Sequence, residues 1–240
     1  MDIDKFKERM CFYGKQMDIA FTVKQLNGFY SYMNLLLEWN EKINLTAITE
    51  PEEVILKHFI DSLTINKYIR ENTTVADVGT GAGFPGIPLK IYRPDLKITL
   101  VDSLNKRINF LNEVINVLKL NDICSVHSRI EDFGKDKNYR EKFDYATARA
   151  VANLSVLSEY LIPIVKVGGK CVCMKGSQIE EELIGGKVAI NVLGGNISKV
   201  DEFVLPCSDI YRNVIIVDKI KNTPGRYPRK AGMPAKEPLK

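Results

Sequence analysis

The sequence lacks any apolar run long enough to span a bilayer, and its charged opening, Met-Asp-Ile-Asp-Lys, is no signal peptide. A membrane partner is therefore not expected. It also lacks a zinc spacing among its five cysteines: Cys11, Cys124, Cys171, Cys173 and Cys207 are odd in number, and Cys171-Val-Cys173 alternates along an expected strand. Reduced thiols, a cytoplasmic location and no metal site follow as expectations. Nor is there an excess of either charge over most of the chain. Residues 1–72 carry 9 basic and 11 acidic side chains and residues 73–218 carry 18 of each, so the formal +4 comes from residues 219–240, which hold 7 basic and 1 acidic. A basic tail on a neutral body is aimed at an anionic partner, whereas a uniform excess would serve mainly solubility. Within 240 residues, 45% apolar composition is enough for a real core.

What the chain does have is a glycine-rich stretch around which the rest is organised, Val75-Ala-Asp-Val-Gly-Thr-Gly-Ala-Gly-Phe-Pro-Gly-Ile-Pro-Leu-Lys90. A β-branched run reaches Asp77, breaks at Gly79, Gly81, Gly83 and Gly86, and gives way to a helical pattern from Ile87. Strand, tight turn and helix in that order bring backbone amides against a ligand, which is the geometry of a nucleoside-cofactor site. The segment from Gly81 to Gly86 also satisfies the dinucleotide pattern G-x-G-x-x-G. Asp77 tilts the reading: a carboxylate just before the glycines would repel a pyrophosphate but attract the sulfonium and ammonium of S-adenosylmethionine.

Residues 1 to about 70 read as helical. Thr22 caps a helix whose apolar positions run at the 3.6-residue period from Val23 to Trp39, and Asn40 to Thr46 breaks that pattern. Thr49-Glu-Pro-Glu52 has the spacing of a capping box and opens a helix through Ile55, Phe59 and Leu63 to about Ile69. His58 and Asp61 lie three apart on it, within reach of each other, an arrangement more often used for packing than for catalysis. From residue 73 strands are expected at 74–79, 97–102, 123–127, 143–148 and 169–175, with helices at 86–92, 104–119 and 153–166 between them. Repeated βα units imply a parallel sheet covered on both faces. The last two strands, about 197–206 and 211–218, are joined by a loop too short for a crossover and must be antiparallel. The expected organisation is a helical extension over 1–72, an α/β domain over 73–218 and a basic tail over 219–240.

Ligands of open α/β sheets lie beyond the carboxyl ends of the strands, which makes three more residues accountable. Asp102 ends the second strand, where a carboxylate can accept from ribose hydroxyls. Ile130 and Glu131 follow the third, where an apolar side chain can cover adenine and a neighbour can bond its amine. Arg149 follows the fourth, at the boundary between cofactor and substrate. For Glu131 and Arg149 a surface ion pair is the competing explanation.

Several segments together resemble the RsmG (GidB) family of small-subunit ribosomal RNA methyltransferases: Asp77 to Leu89, Asp102-Ser-Leu-Asn-Lys-Arg107, Ser128-Arg-Ile-Glu131, Ala148-Arg-Ala150, Met174-Lys-Gly176, Asn44-Leu-Thr46 and His58-Phe-Ile-Asp-Ser-Leu63. The resemblance covers nearly the whole chain. It implies a class I, Rossmann-like methyltransferase fold with a helical extension, using S-adenosyl-L-methionine to methylate N7 of one guanine in 16S ribosomal RNA, free or within the small ribosomal subunit. The matching cofactor positions are Gly79, Phe84, Ile130, Glu131 and Arg149, beside Asp77, Gly81, Gly83 and Asp102 from the strand argument. Substrate-side candidates are Asn44, His58, Asp61 and Lys175, with Arg226, Arg229 and Lys230 of the tail. A monomer is expected.

The chemistry suits what is missing after the fourth strand. Methyltransferases of exocyclic amines place an Asn-Pro-Pro-Tyr type tetrapeptide there to orient the amine and help remove its proton; this chain reads Ala148-Arg-Ala-Val-Ala152. Guanine N7 carries an in-plane lone pair and no proton, so no general base is required and Arg149 is left a positioning role. Pro224, Pro228, Pro234 and Pro238 deny the tail a continuous helix, so it is expected to be mobile, with Tyr227 free to stack on a base and cofactor affinity independent of it. The competing readings are methylation of another RNA site, a nicotinamide-dependent oxidoreductase, and an RNA-binding protein without catalysis.

Overall fold

The period-2 alternation of the expected strands has a direct consequence in three dimensions: successive residues leave opposite faces of one sheet, and both faces are covered. The computed structural model describes residues 1–239. Its strands are β1 (Thr74–Val78), β2 (Lys97–Asp102), β3 (Ile123–His127), β4 (Phe143–Arg149), β5 (Val165–Lys175), β6 (Gly195–Val204) and β7 (Tyr211–Lys219), in the order β3-β2-β1-β4-β5-β7-β6. β1 to β5 are parallel, and β7 runs antiparallel to both β5 and β6. The two halves of the sheet meet at β1 and β4, where the topology switches direction and the carboxyl ends open a crevice.

One face packs Val75, Ile98, Leu100, Tyr145, Val172 and Ile216 against the amino-terminal helices. These are α1 (Ile3–Gln16), α2 (Val23–Ile43) and a third helical stretch made of α3 (Pro51–Val54), a π-helical segment (Ile55–Ile60) and α4 (Asp61–Leu63). α5 (Gly86–Tyr92) and α6 (Asn105–Val117) complete this layer. The opposite face packs Ala76, Val101, Ala146, Cys171, Cys173 and Ile215 against α7 (Ile130–Phe133), α8 (Leu154–Leu161) and α9 (Glu180–Leu193). Cys171 and Cys173 are thus core residues, and burial pushes the Cys173 thiol up to about 12.

The helices depart from the sequence pattern in places where local signals were outweighed. Thr22 does cap α2 in a reciprocal capping box with Gln25, but α2 continues through Asn40 to Ile43 and stops only where Asn44 takes the left-handed conformation at φ 49°. The expected capping box at Thr49 does not form: Glu50 is the cap residue and no side chain bonds there. Helix α9 carries Gly185 and Gly186, which lower its intrinsic propensity and hide it from the pattern. Gly186 is explained by packing, because a Cβ there would lie 2.7 Å from Cδ2 of Leu154 on α8.

The tail is a second departure. It is seated on the sheet domain rather than mobile. Tyr227 and Pro228 are buried, the Lys219 side chain is fully enclosed with Nζ donating to Ile162 O at 2.8 Å, and Arg140 donates to Tyr227 O at 2.6 Å and to Thr223 O at 2.8 Å. Arg229 forms a bidentate pair with the fully buried carboxylate of Glu159, through Nε and Nη2 at 3.0 and 2.7 Å. A short helix, α10 (Met233–Lys236), follows in the tail. Proline removed helical hydrogen bonding without preventing order, because side chains of the body supply the donors and acceptors. Lys240, counted among the tail cations, lies outside the described residues.

Candidate functional site

The glycine turn after β1 is fixed by its own backbone. The amides of Gly79 and Thr80 both donate to Val101 O, at 2.9 and 3.2 Å, which pins the turn to the end of β2. Gly79 (φ +63°) and Gly81 (φ +62°) both take left-handed angles for opposite reasons. A Cβ on Gly79 would strike Val151 at 2.8 Å, whereas one on Gly81 would meet nothing nearer than Gly79 O at 4.0 Å and would project into open space above the loop.

Asp77 sits beneath this turn rather than in the cleft. Its Oδ2 accepts from Thr80 Oγ1 at 2.5 Å and from the Gly86 amide at 2.8 Å, the side chain is fully buried, and Oδ1 has no partner among the described residues. Burial pushes its carboxyl up to about 6. The expectation that Asp77 faces a cationic ligand is corrected: it staples the two ends of the glycine turn. Gly83 is corrected likewise, since its vacant Cβ position faces Ile87 and the Tyr32 hydroxyl, on the helix side. Tyr32 donates that hydroxyl to Ala82 O, an anchor from the helical extension with no sequence signal.

A cleft of about 640 Å³ opens above the turn, lined by Gly79, Gly81, Phe84, Asp102, Ile130, Glu131 and Arg149 among others. Asp102 is already engaged there: Oδ2 accepts from the Gly81 amide at 3.0 Å and from Arg107 at 3.2 Å, and Oδ1 from the Leu104 amide at 2.9 Å. Arg107, Thr46 and Tyr160 also line the cleft; the first two closed motifs quoted for the family resemblance, but none of the three was a candidate site residue.

A second cavity of about 600 Å³ adjoins the first and shares His58, Arg149, Ala150 and Val151 with it. Arg149 is the partition. Its guanidinium donates to Lys57 O at 3.0 Å, to Asp61 Oδ2 at 3.3 Å and to His58 Nδ1 at 3.1 Å, and lies 4.8 Å from the centre of the Phe84 ring. Because a guanidinium only donates, His58 Nδ1 must accept, which leaves Nε2–H to donate to Thr46 Oγ1 at 2.9 Å. His58 also stacks on Phe84 with ring centres 4.4 Å apart. Burial, reinforced by Arg149, pushes His58 down to about 3, so the ring is neutral. Asp61 accepts from Arg212 Nε as well, at 3.1 Å, and burial raises its carboxyl while the two arginines oppose the rise. The π-helical turn carries Lys57 and His58 to this partition; such turns often coincide with sites.

The remaining candidates divide. Lys175 lines the second cavity, but its ammonium is held by Glu182 and Ala152 O, both at 2.5 Å. Asn44 lines neither cavity and serves as the exposed stop of α2. The tail cations also lie outside both: Arg229 is spent on Glu159, Arg226 covers the buried Tyr227 ring at 5.0 Å, and Lys230 is exposed. Tyr227 is therefore not available for stacking on a base.

A family model described as rRNA small subunit methyltransferase G (GidB) matches residues 25–211. The chain is 55% identical over 218 residues to a protein of Alkaliphilus metalliredigens named ribosomal RNA small subunit methyltransferase G, covering 90% of this chain and 91% of that one. It is 53% identical to a protein of the same name from Desulforamulus reducens over 94% of this chain and 95% of the other. Among solved structures it resembles a SAM-dependent methyltransferase from Aquifex aeolicus, with a TM-score of 0.51 at 19% identity over 70% of this chain and 93% of that one.

Proposed function

The chain belongs to the rRNA small subunit methyltransferase G (GidB) family, and from that membership we propose that it transfers a methyl group from S-adenosyl-L-methionine to N7 of a single guanine in 16S ribosomal RNA. The observation that carries the reading is the pair of adjoining cavities with Arg149 in their shared wall. The first cavity fits the cofactor: Gly81 leaves open the space a Cβ would take, Asp102 offers carboxylate oxygens at the end of β2, and Ile130 and Glu131 open α7 just beyond the end of β3. When bound there, the cofactor supplies an electrophilic methyl on a sulfonium. In this assignment residues 73–218 hold the cofactor, and the extension over 1–72 contributes Thr46, His58 and Asp61 to the substrate side.

The titratable groups of the shared wall have no capacity left for proton abstraction. His58 Nδ1 is occupied by Arg149 and its Nε2 carries the proton given to Thr46, while Asp61 is shared between two arginines. That supports a nucleophile needing no base, as N7 does. The wall orients the base and excludes water, effects worth up to about 7–11 kcal/mol in favourable cases. The reading makes the protein a cytoplasmic monomer acting on ribosomal RNA or the small subunit without a metal.

Transfer of labelled methyl to small-subunit RNA, followed by mapping of the modified atom, tests this. Label at a guanine N7, with a single-turnover rate flat from about pH 6.5 to 8, is the expected result. Label on an exocyclic amine, or a rate rising steeply with one enzyme group in that window, rejects it.

A further inference from the structure

At Gly232 the tail reaches a wall residue of the cofactor cleft. The Gly232 amide donates to Glu131 Oε1 at 2.8 Å, and Glu131, only 6% exposed, is a wall residue of that cleft. Oε1 is thereby committed, while Oε2 has no hydrogen-bond partner among the described residues. A carboxylate that lines the cleft with one oxygen fixed and the other unpaired among the described residues is suited to accept from an exocyclic amine such as that of adenine.

The rest of the tail is built to hold that one donor in place. Arg140 clamps the carbonyls of Thr223 and Tyr227, Tyr227 is buried, and Pro228 packs on Gly134 immediately after α7, which carries Glu131. Arg229 is fixed to Glu159 through its side chain and through its own amide, at 2.7 Å. Beyond Gly232, Ser155 Oγ donates to Leu239 O at 2.6 Å, so the segment is fastened on both sides of the glycine.

We propose that residues 219–239 form a strap that sets the adenine end of the cofactor cleft, with Gly232 as the positioning residue acting through Glu131. The strap rests on the cofactor reading given above. Its consequence is that selectivity for adenine, rather than folding alone, depends on a segment far from the glycine turn in sequence.

Calorimetry with S-adenosylhomocysteine and S-inosylhomocysteine, which lacks the amine, separates these roles. The full chain should prefer the adenosyl compound by roughly tenfold or more, the range for a hydrogen bond to a charged group. A chain ending after Ala231 keeps the Arg140 and Arg229 anchors but loses the Gly232 donor, and its preference should fall toward one. Should that chain lose its cooperative melting transition, glycolic acid in place of Gly232 in the full-length protein, a backbone ester, removes the same N–H with both anchors present and leaves the left-handed conformation at φ +82° accessible. An unchanged preference in a folded variant, or an equal loss for both ligands, overturns the strap while leaving the cofactor reading intact. Binding of neither ligand by the full chain overturns both.

Discussion

Asp102 is held by three donors, two of them backbone amides of the turns it joins, so it shapes the cleft as well as lining it. Removing its carboxylate therefore acts twice, through lost bonds to ligand hydroxyls and through a loosened Gly81 amide. Asp102→Ala should weaken S-adenosylmethionine binding by about 1–3 kcal/mol while RNA affinity stays nearly unchanged. Calorimetry with the cofactor and filter binding with the RNA check this; equal cofactor affinity in variant and parent would remove Asp102 from the site. Asp77 shows the contrast between two carboxylates near the same glycines. Its position in the sequence suggested a ligand contact, but it lies level with Leu100, short of the carboxyl edge of the sheet, where the glycine turn closes over it through Thr80 and Gly86.

At the scale of elements, the third helical stretch and the carboxyl end of β4 are joined by Arg149, with Arg212 of β7 adding a second bond to Asp61. The Asp61 and Arg149 side chains are 2% and 15% exposed, so desolvation makes truncation of one partner costly. Arg149→Met should lower stability by about 3 kcal/mol, because Asp61 and the Lys57 carbonyl lose a buried donor. Asp61→Leu in the same chain should recover part of that loss, since no carboxylate is then left underpaired. Denaturant titration of the two single variants and the double variant measures the coupling. Strictly additive losses would mean that Arg212 alone satisfies Asp61 and that the bond between helix and strand contributes nothing.

For the molecule as a whole, two buried groups give the stability opposite dependences on pH. His58 falls to about 3 in the folded state from the ordinary 6.5, so its contribution is present above pH 6.5 and is lost as pH falls below it. Asp77 rises to about 6 from 3.8, so the folded state gains from it as pH falls from 6 toward 4. Between pH 4 and 6 the two slopes oppose, each on the order of 1 kcal/mol per pH unit. Chemical denaturation over that range should show His58→Gln gaining stability relative to the parent as pH falls and Asp77→Asn losing it. Parallel curves for all three proteins would contradict the burial of both groups. Much of this architecture was legible in the sequence, because alternation, glycine spacing and a loop too short for a crossover are local signals with one physical solution. They determined the strands, the turn after β1 and the antiparallel end of the sheet. Only the tertiary structure decided which side chains the turn presents and which it buries, since Asp77, paired with Leu100, and Asp102, two residues further along β2, share one face of the sheet but differ in what packs above them. It also decided that His58, Asp61, Arg149 and Arg212, drawn from three elements, share one wall, and that a proline-rich tail is ordered. The partners of Arg140, Glu159 and Glu131 lie 70 to 101 residues away in the chain, and no local pattern encodes contacts closed over such distances.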